Sequence, residues 1–417
     1  MIAFAEARRL VVDRCVPLAP GPVPLLDAAG CVLAERVVAR DPVPPFANSA
    51  MDGYAVRAVD VGGASDASPV RLRVLATAAA GAPVDVTVGA GHAVRIMTGA
   101  PMPRGADAVV MVERSARVGD AAAGVAAGGH EWVELFESVS VGRHVRPAGD
   151  DLATGAVVAE PGTVLGPALL GVLASVGVRR PVVVRRPRVA VISTGDELVD
   201  DERPLGPGQI RESNRPTLVA AARSFGFDAI DVGTVPDDAG ALEAALVSAA
   251  SAYDAVVTSG GVSMGDFDLV KVVLDRLAEM TWMQVAIRPA KPFAFGVLDG
   301  TPVFGLPGNP VSSLVSLALL GVPGLRRRAG RSDLDLPTVT AEAGVGLTRR
   351  TDGRTAYLRV AVRWQGDRFT ALPVGAQGSH HLAATALANG LAVLPDGPGV
   401  EAGGPVEVVL LADPFLP

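Results

Sequence analysis

Val191-Ile192-Ser193-Thr194-Gly195-Asp196-Glu197 and Val257-Thr258-Ser259-Gly260-Gly261-Val262-Ser263-Met264-Gly265-Asp266-Phe267-Asp268 decide the fold. Each is an apolar run of strand length that passes into small residues and ends in carboxylates. Around them residues 183–328 alternate in pattern. Strands are expected at 188–193, 228–234, 254–259, 283–288, 293–298 and 302–306, and helices at 213–225, 238–251, 267–279 and from 310 onward. That alternation predicts a doubly wound, mostly parallel sheet. Ligands of such sheets bind beyond the carboxyl ends of the strands, where glycines let backbone N–H groups approach a phosphate and carboxylates can hold a cation. Two such loops in one domain point to a shared pocket for an anionic, metal-assisted substrate.

Upstream, residues 2–15 carry a helical apolar pattern and a short helix is expected at 26–36, before Asp41-Pro42-Val43-Pro44-Pro45 stops any helix. From 48 to 146 short apolar runs separated by Gly and Pro predict an inserted β-rich domain, with a flexible hairpin tip in the Ala/Gly tract at 120–129. A small β unit near 156–162 and a helix near 169–178 return to the N-terminal segment. After 335 only short alternating runs remain, a small barrel or sandwich. The fold class is therefore multidomain α/β and β. An N-terminal part is expected at 1–47 that continues at 147–182, the β-rich insertion at 48–146, the α/β domain at 183–330 and the small barrel or sandwich at 331–417.

Composition narrows the function. With 417 residues, 49% of them hydrophobic, the chain is long enough for several cores. Only 4% are aromatic, which leaves few rings for base stacking, and a net charge of −7 disfavours polyanion binding. No nucleic-acid partner is expected, and any anion site must be local. Cys15 and Cys31 are the only cysteines, so neither a zinc site nor a disulfide framework is indicated and a reducing cytoplasm is the default. The N-terminus does not read as a signal peptide. The apolar stretch 311–325 is interrupted by serines, Gly321 and Pro323, too short to span a bilayer and better suited to a buried helix.

Each motif has an ordinary reading beside the functional one. Ser193, Thr194 and Gly195, followed by Asp196 and Glu197, serve equally well as a strand-to-helix turn with a carboxylate at a helix N-terminus. The loop of Ser259, Gly260, Gly261 and Ser263 is richer in glycine and hydroxyl than a turn requires and suits a phosphate cradle. It is neither a Walker loop nor a dinucleotide fingerprint. N-capping is the ordinary role of Asp237 or Asp238. Arg288 and Lys291, set among Pro289 and Pro292, are rigid cations suited to an oxyanion. The turn of Gly305-Leu306-Pro307-Gly308-Asn309-Pro310 is structural, with helix N–H groups that can also face the pocket. The five histidines lack metal-ligand spacing and are read as non-catalytic.

Residues 48–54, 98–103, 193–198, 259–268, 291–296 and 305–310 together follow the order found in molybdopterin molybdenumtransferases, and the chain resembles that family, which is similar to the C-terminal domain of gephyrin, over nearly its whole length. The resemblance implies insertion of molybdate into adenylylated molybdopterin with release of AMP, assisted by a divalent cation, Mg²⁺. It implies that 1–47 and 147–182 form an elongated linker subdomain, 183–330 a molybdopterin-binding α/β domain and 331–417 a C-terminal β-barrel domain, in a homodimer whose active site lies at the subunit interface, with Asp52 and Thr98 reaching it from the β domain. Matched motif to motif, Asp52, Thr98, Asp151, Glu197, Asp237 and Asp268 fall at the family's functional acidic and polar positions, Glu197, Asp237 and Asp268 as the metal set. Ser193, Thr194, Gly195, Ser259, Gly260, Gly261, Ser263, Arg288, Lys291, Pro292, Arg359 and Ser379 fall where it binds pterin, molybdate or terminal phosphate. Arg288 and Gln284 stand where lysines are common. A molybdopterin adenylyltransferase is the implied partner. Two competing functions are a gephyrin-like scaffold, which needs no intact acidic set, and molybdopterin adenylylation, which consumes ATP.

Overall fold

The computed structural model describes residues 1–118, 131–261 and 269–415, so the expected hairpin tip at 120–129 and the second half of the glycine loop lie outside the described residues. The chain divides into two compact units. One comprises Met1–Ala34, Pro161–Gly166 and Arg180–Pro417, the other Glu35–Glu160 and Pro167–Arg179.

In the first unit a six-stranded sheet has the order Asp228–Val235, Arg188–Thr194, Ala255–Ser259, Thr301–Leu306, Pro292–Leu298, Thr281–Gln284. The first four strands pair in parallel, and Pro292–Leu298 runs antiparallel to both of its neighbours. Alternation along the strands builds both layers. Val189 and Val191 face Leu218, Val219 and Ala222 of the helix Asn214–Ser224. Ala190 and Ile192 face Leu242 and Leu246 of Ala239–Ala252 and Val270, Val273 and Leu274 of Leu269–Leu277. Each Val or Ile side chain fully buried in this way contributes about 1.5–3 kcal/mol. The chain proceeds from the strand Arg188–Thr194 to a neighbour on one side, then to a neighbour on the other. The switch point thus lies between Arg188–Thr194 and Ala255–Ser259.

The apolar stretch 311–325 is a buried helical rod, as its composition suggests, running Pro310–Ser316, Leu317–Gly321 and Val322–Arg328. Its middle segment opens into a π turn just before Pro323, which lacks an N–H and crowds the carbonyl of the preceding turn. The C-terminal strands Thr355–Trp364, Phe369–Pro373, Thr338–Ala343, Pro405–Leu410 and Gly390–Leu394 close into a five-stranded barrel, since the first also pairs with the last.

Two expectations change. The helix at 26–36 is a 3-10 turn, Leu25–Ala28, followed by a short strand, Val32–Leu33, paired to Val182–Val184. Gly30, at φ 74°, breaks the helix between them. The single strand expected at 283–288 is two, because Ile287–Arg288 leaves the α/β sheet to pair with Thr355 and Ala356 of the barrel. Arg288 is thereby delivered to the junction of the two elements.

The second unit is built on a six-stranded sheet in the order Ala108–Met111, Gly53–Val56, His92–Ile96, Val70–Ala78, Trp132–Leu135, Ser115–Val118, with Tyr54, Val56, Leu72, Val110 and Val133 in its core. The helix Pro167–Ser175 belongs to this unit.

Candidate active site

Parallel register puts Ser193 beside both Thr234 and Ser259, and Ser259 beside Leu306, so hydroxyls form a row at the carboxyl ends of adjacent strands. Ser193 and Ser259 are buried, and Ser193 Oγ lies 3.1 Å from Thr234 Oγ1. Beyond this row Gly260 and Gly261 take φ 99° and 68°. The Gly260 N–H donates to the Leu306 carbonyl at 3.1 Å. A Cβ on Gly260 would lie 3.2 Å from the Thr194 carbonyl oxygen and 3.3 Å from its hydroxyl, and one on Gly308 would lie 3.9 Å from Gly260 Cα. The loops after three strands therefore meet at glycine at the switch point, leaving room for a phosphate to reach backbone N–H groups.

Gly195, at φ 144°, gives its side-chain space to the Glu197 carboxylate, which a Cβ there would meet at 2.5 Å. Asp196 accepts the Asp237 N–H at 3.1 Å, tying together the loops that carry Glu197 and Asp237. Asp238, not Asp237, caps the next helix by accepting from the Ala241 N–H at 2.8 Å. Asp196, Glu197 and Asp237 are all exposed. Hard oxygen donors of this kind suit Mg²⁺, which is usually held by one or two carboxylates with substrate phosphates completing its shell. Among the described residues no group of three or more His, Cys, Asp or Glu is disposed to hold a metal by itself. Ser263 and Asp268 lie outside the described residues.

A cleft of about 560 Å³ lies where the α/β domain meets the barrel, lined by Arg288, Pro289, Thr348, Arg350, Gln377 and Gly378 among others. The Arg288 side chain is exposed, 3.8 Å from Asp352. Lys291 is partly exposed, and its carbonyl accepts the Val285 N–H as Pro292 begins the next strand. Arg359 is buried in the barrel wall at 1% exposure. Its guanidinium donates to the carbonyls of Ala376, Gly378 and His381 and to the Thr385 hydroxyl at 2.6–3.2 Å, with Gln377 Oε1 at 3.4 Å. Burial alone pushes its pKa down. Arg359 thus holds the loop that carries Ser379, and the Ser379 carbonyl accepts the Val311 N–H at the start of the helix after Gly308.

Asp52, Thr98 and Asp151 belong to the second unit. The Thr98 N–H and hydroxyl both donate to Asp52 Oδ1 at 2.7 Å, and these two bonds, the backbone one first, hold the exposed Asp52 carboxyl below the usual carboxylate range. The Asp151 N–H donates to the Val43 carbonyl. Sequence reasoning missed Asn214, Arg215 and Asp200. Asn214 and Arg215 open a helix and Asp200 follows the short strand Leu198–Val199, and only the polar run Glu212-Ser213-Asn214-Arg215 hinted that this helix start did more than cap.

Fold and site define a multidomain protein of the class that carries a glycine-lined cradle at the switch point of a doubly wound sheet. Comparison with known families agrees. The MoeA N-terminal region (domains I and II) matches residues 2–177, a probable molybdopterin binding domain matches 190–327, and the MoeA C-terminal region (domain IV) matches 343–411. Molybdopterin molybdenumtransferase 2 of Mycobacterium tuberculosis is 38% identical over 402 residues, 95% of this chain and 96% of its own. The molybdopterin molybdenumtransferase of Haemophilus influenzae is 35% identical over 412 residues, 98% of each chain. The crystal structure of a molybdopterin biosynthesis protein from Pyrococcus horikoshii superposes with a TM-score of 0.77 at 34% identity, covering 99% of this chain and all of the other. The chain belongs to the molybdopterin molybdenumtransferase family, transferases of molybdenum cofactor biosynthesis.

Proposed function

We propose that this chain inserts molybdate into adenylylated molybdopterin and releases AMP. The observation that carries the reading is the glycine meeting point at the switch point, where Gly260 approaches Thr194 so closely that a Cβ would fill the space. The terminal phosphate of a pterin needs such backbone donors. In the reaction the two dithiolene thiols form bonds to molybdenum as one oxygen ligand of molybdate leaves with their two protons as water, and water cleaves the phosphoanhydride, leaving the pterin phosphate and AMP. A tetrahedral dianion needs rigid cations and hydroxyls, which Arg288, Lys291 and the Ser379 loop offer.

Glu197, Asp237 and Asp268 would hold Mg²⁺, which when bound would offset charge developing on the phosphoanhydride. A carboxylate kept ionised as Asp52 is suits orienting water or a cation better than carrying a proton. We assign Asp151 to the same acidic set, and Ser193, Ser259 and Ser263 to the pterin cradle. The reading extends to a homodimer, a cytoplasmic location, a molybdopterin adenylyltransferase as supplier of the substrate, and the four-part division of the chain given above. No helix of the described residues is long and apolar enough to cross a membrane.

The test is AMP release from the purified chain given adenylylated molybdopterin and Mg²⁺, with and without molybdate. Molybdate-dependent release yielding cofactor that activates a molybdoenzyme is the expected result. No release under any oxyanion contradicts the proposal. Sedimentation of the same sample reads the oligomeric state.

A further inference from the structure

The adjacent side chains Asn214 and Arg215 open the helix Asn214–Ser224, and between them they touch every parallel-strand end of the sheet. Asn214 Nδ2 donates to Ser259 Oγ at 2.9 Å and to the Gly308 carbonyl at 2.6 Å, joining the loops after Ala255–Ser259 and Thr301–Leu306. Arg215 is 7% exposed. It donates to Thr234 Oγ1 at 2.7 Å and to Asp200 Oδ2 at 3.0 Å, its Nε lies 2.8 Å from Asp231 Oδ1, and its Nη1 reaches Ser193 Oγ at 3.5 Å. It therefore joins the strand ends of Arg188–Thr194 and Asp228–Val235. The pair itself is fixed by Glu212, whose Oε1 accepts both the Asn214 and the Arg215 N–H.

We infer that Asn214 and Arg215 are positioning residues that divide the site between them, Asn214 setting the phosphate cradle and Arg215 setting the acidic loop. The inference deepens the proposed reaction and rests on it. Asn214 bridges the two backbone segments, at 259–260 and 308, whose glycines face each other, so it fixes how wide the cradle opens. Arg215 anchors Asp200, which follows the strand Leu198–Val199. That strand pairs with Ile210–Arg211, and the Ile210 N–H donates to the Glu197 carbonyl at 2.8 Å. Glu197 is thus placed through Asp200 and Arg215. A buried ion network adds little net stability against an apolar replacement but does fix geometry. A displacement near 1 Å at reacting groups costs about a hundredfold in rate.

Two conservative variants of the full chain separate these roles. Asn214→Asp keeps the shape of the side chain but removes both donors. Arg215→Lys keeps the charge but replaces a planar fork by a point donor. Asn214→Asp should raise KM for adenylylated molybdopterin about tenfold, the loss expected from about 1.4 kcal/mol of donor bonding, with KM for molybdate within about twofold of wild type. Arg215→Lys should lower kcat about tenfold or more with both KM values within about twofold. Amide hydrogen exchange gives a readout independent of turnover. It should quicken at 258–261 and 308–309 in Asn214→Asp, and at 195–200 in Arg215→Lys. Parallel loss of all parameters in both variants, tracking the melting temperature, overturns the inference, as does wild-type behaviour of both. If the wild type itself releases no AMP, the reaction is wrong, while the crossed or uncrossed exchange pattern still decides the positioning roles.

Discussion

Gly260→Ala is the sharpest test of the cradle, and Gly300→Ala is its internal control. Gly300 sits in the turn between Pro292–Leu298 and Thr301–Leu306 at φ 81°, and a Cβ there meets nothing within 4 Å. Alanine at Gly300 therefore carries only the conformational cost of a positive φ, about 1 kcal/mol. Gly260 shares that cost at φ 99°, and its Cβ would also press on the Thr194 carbonyl at 3.2 Å and hydroxyl at 3.3 Å. The carbonyl belongs to strand backbone that cannot swing away, which adds about 1–2 kcal/mol of overpacking. For a domain of this size each kcal/mol moves the midpoint by about 2–4 °C, so Gly300→Ala should melt about 2–4 °C lower and Gly260→Ala about 4–12 °C lower. Differential scanning calorimetry reads the midpoints. Fluorescence titration with molybdopterin reads binding, which Gly260→Ala should abolish and Gly300→Ala should leave intact. Equal midpoint shifts in the two variants, or retained pterin affinity in Gly260→Ala, would refute the argument that the space at Gly260 belongs to a ligand.

Other predictions follow from charge and burial. Because the folded Asp52 carboxyl titrates below its unfolded value, its contribution to stability is present above the ordinary carboxylate pKa and is lost as pH falls through the folded one. Thr98→Val removes the hydroxyl donor but keeps the N–H, so the Asp52 titration followed by carboxylate NMR should move up towards the ordinary value without reaching it. An unmoved midpoint would show that the hydroxyl plays no part. Arg359→Met should destabilise the barrel by about 3 kcal/mol, by leaving carbonyls of Ala376, Gly378 and His381 without their donor, and should quicken amide exchange across 376–385. Unchanged exchange there would mean the loop is held by something else. The Cys15 thiol is 1% exposed and pushed up to about 12 by burial, and Cys31 is raised for the same reason. Iodoacetamide at pH 8 should modify neither until the chain unfolds, as mass spectrometry of the folded protein can check.

The sheet was legible because its signals are local. Val189, Ala190, Val191 and Ile192 read as a continuous apolar run, as a strand covered on both faces must, and the glycines after it mark where the chain turns out of the sheet. The turns that leave the strands at Gly195 and Gly260 were legible for the same reason. What stayed hidden was pairing at a distance. Nothing near Ile287 announces that it joins Thr355 rather than continuing Thr281–Gln284. Asn214 and Arg215 look like any polar helix start until the fold brings Ser259, Gly308, Asp200, Asp231 and Thr234 around them. Arg359 is the instructive case of a residue found by motif but not by role. Its position in a strand of alternating pattern says that it faces one side of the barrel, and only the structure shows its donors taken up by the adjacent loop.

That use of Arg359 bears on how a barrel residue can serve an oxyanion without touching it. Its hydrogen bonds go to carbonyls, a hydroxyl and an amide oxygen, and burial is what lowers its pKa, with no carboxylate offsetting its charge. Arg349, nearby on the same barrel, is different, since Asp352 and Asp396 lie 3.1 and 2.5 Å from it. A buried cation left uncompensated projects its field into the nearest poorly screened space, and a dianion placed there gains more than it would from a cation already paired. The Ser379 loop lies between the Arg359 guanidinium and the start of the helix after Gly308. An anion seated on that loop would feel the Arg359 charge through the carbonyls it fixes, while exposed Arg288 would supply direct contact from the cleft. Under the proposed reaction, a division of labour between a buried field and an exposed donor would account both for the place of Arg359 in the motif and for its lack of a free N–H on which an anion could close.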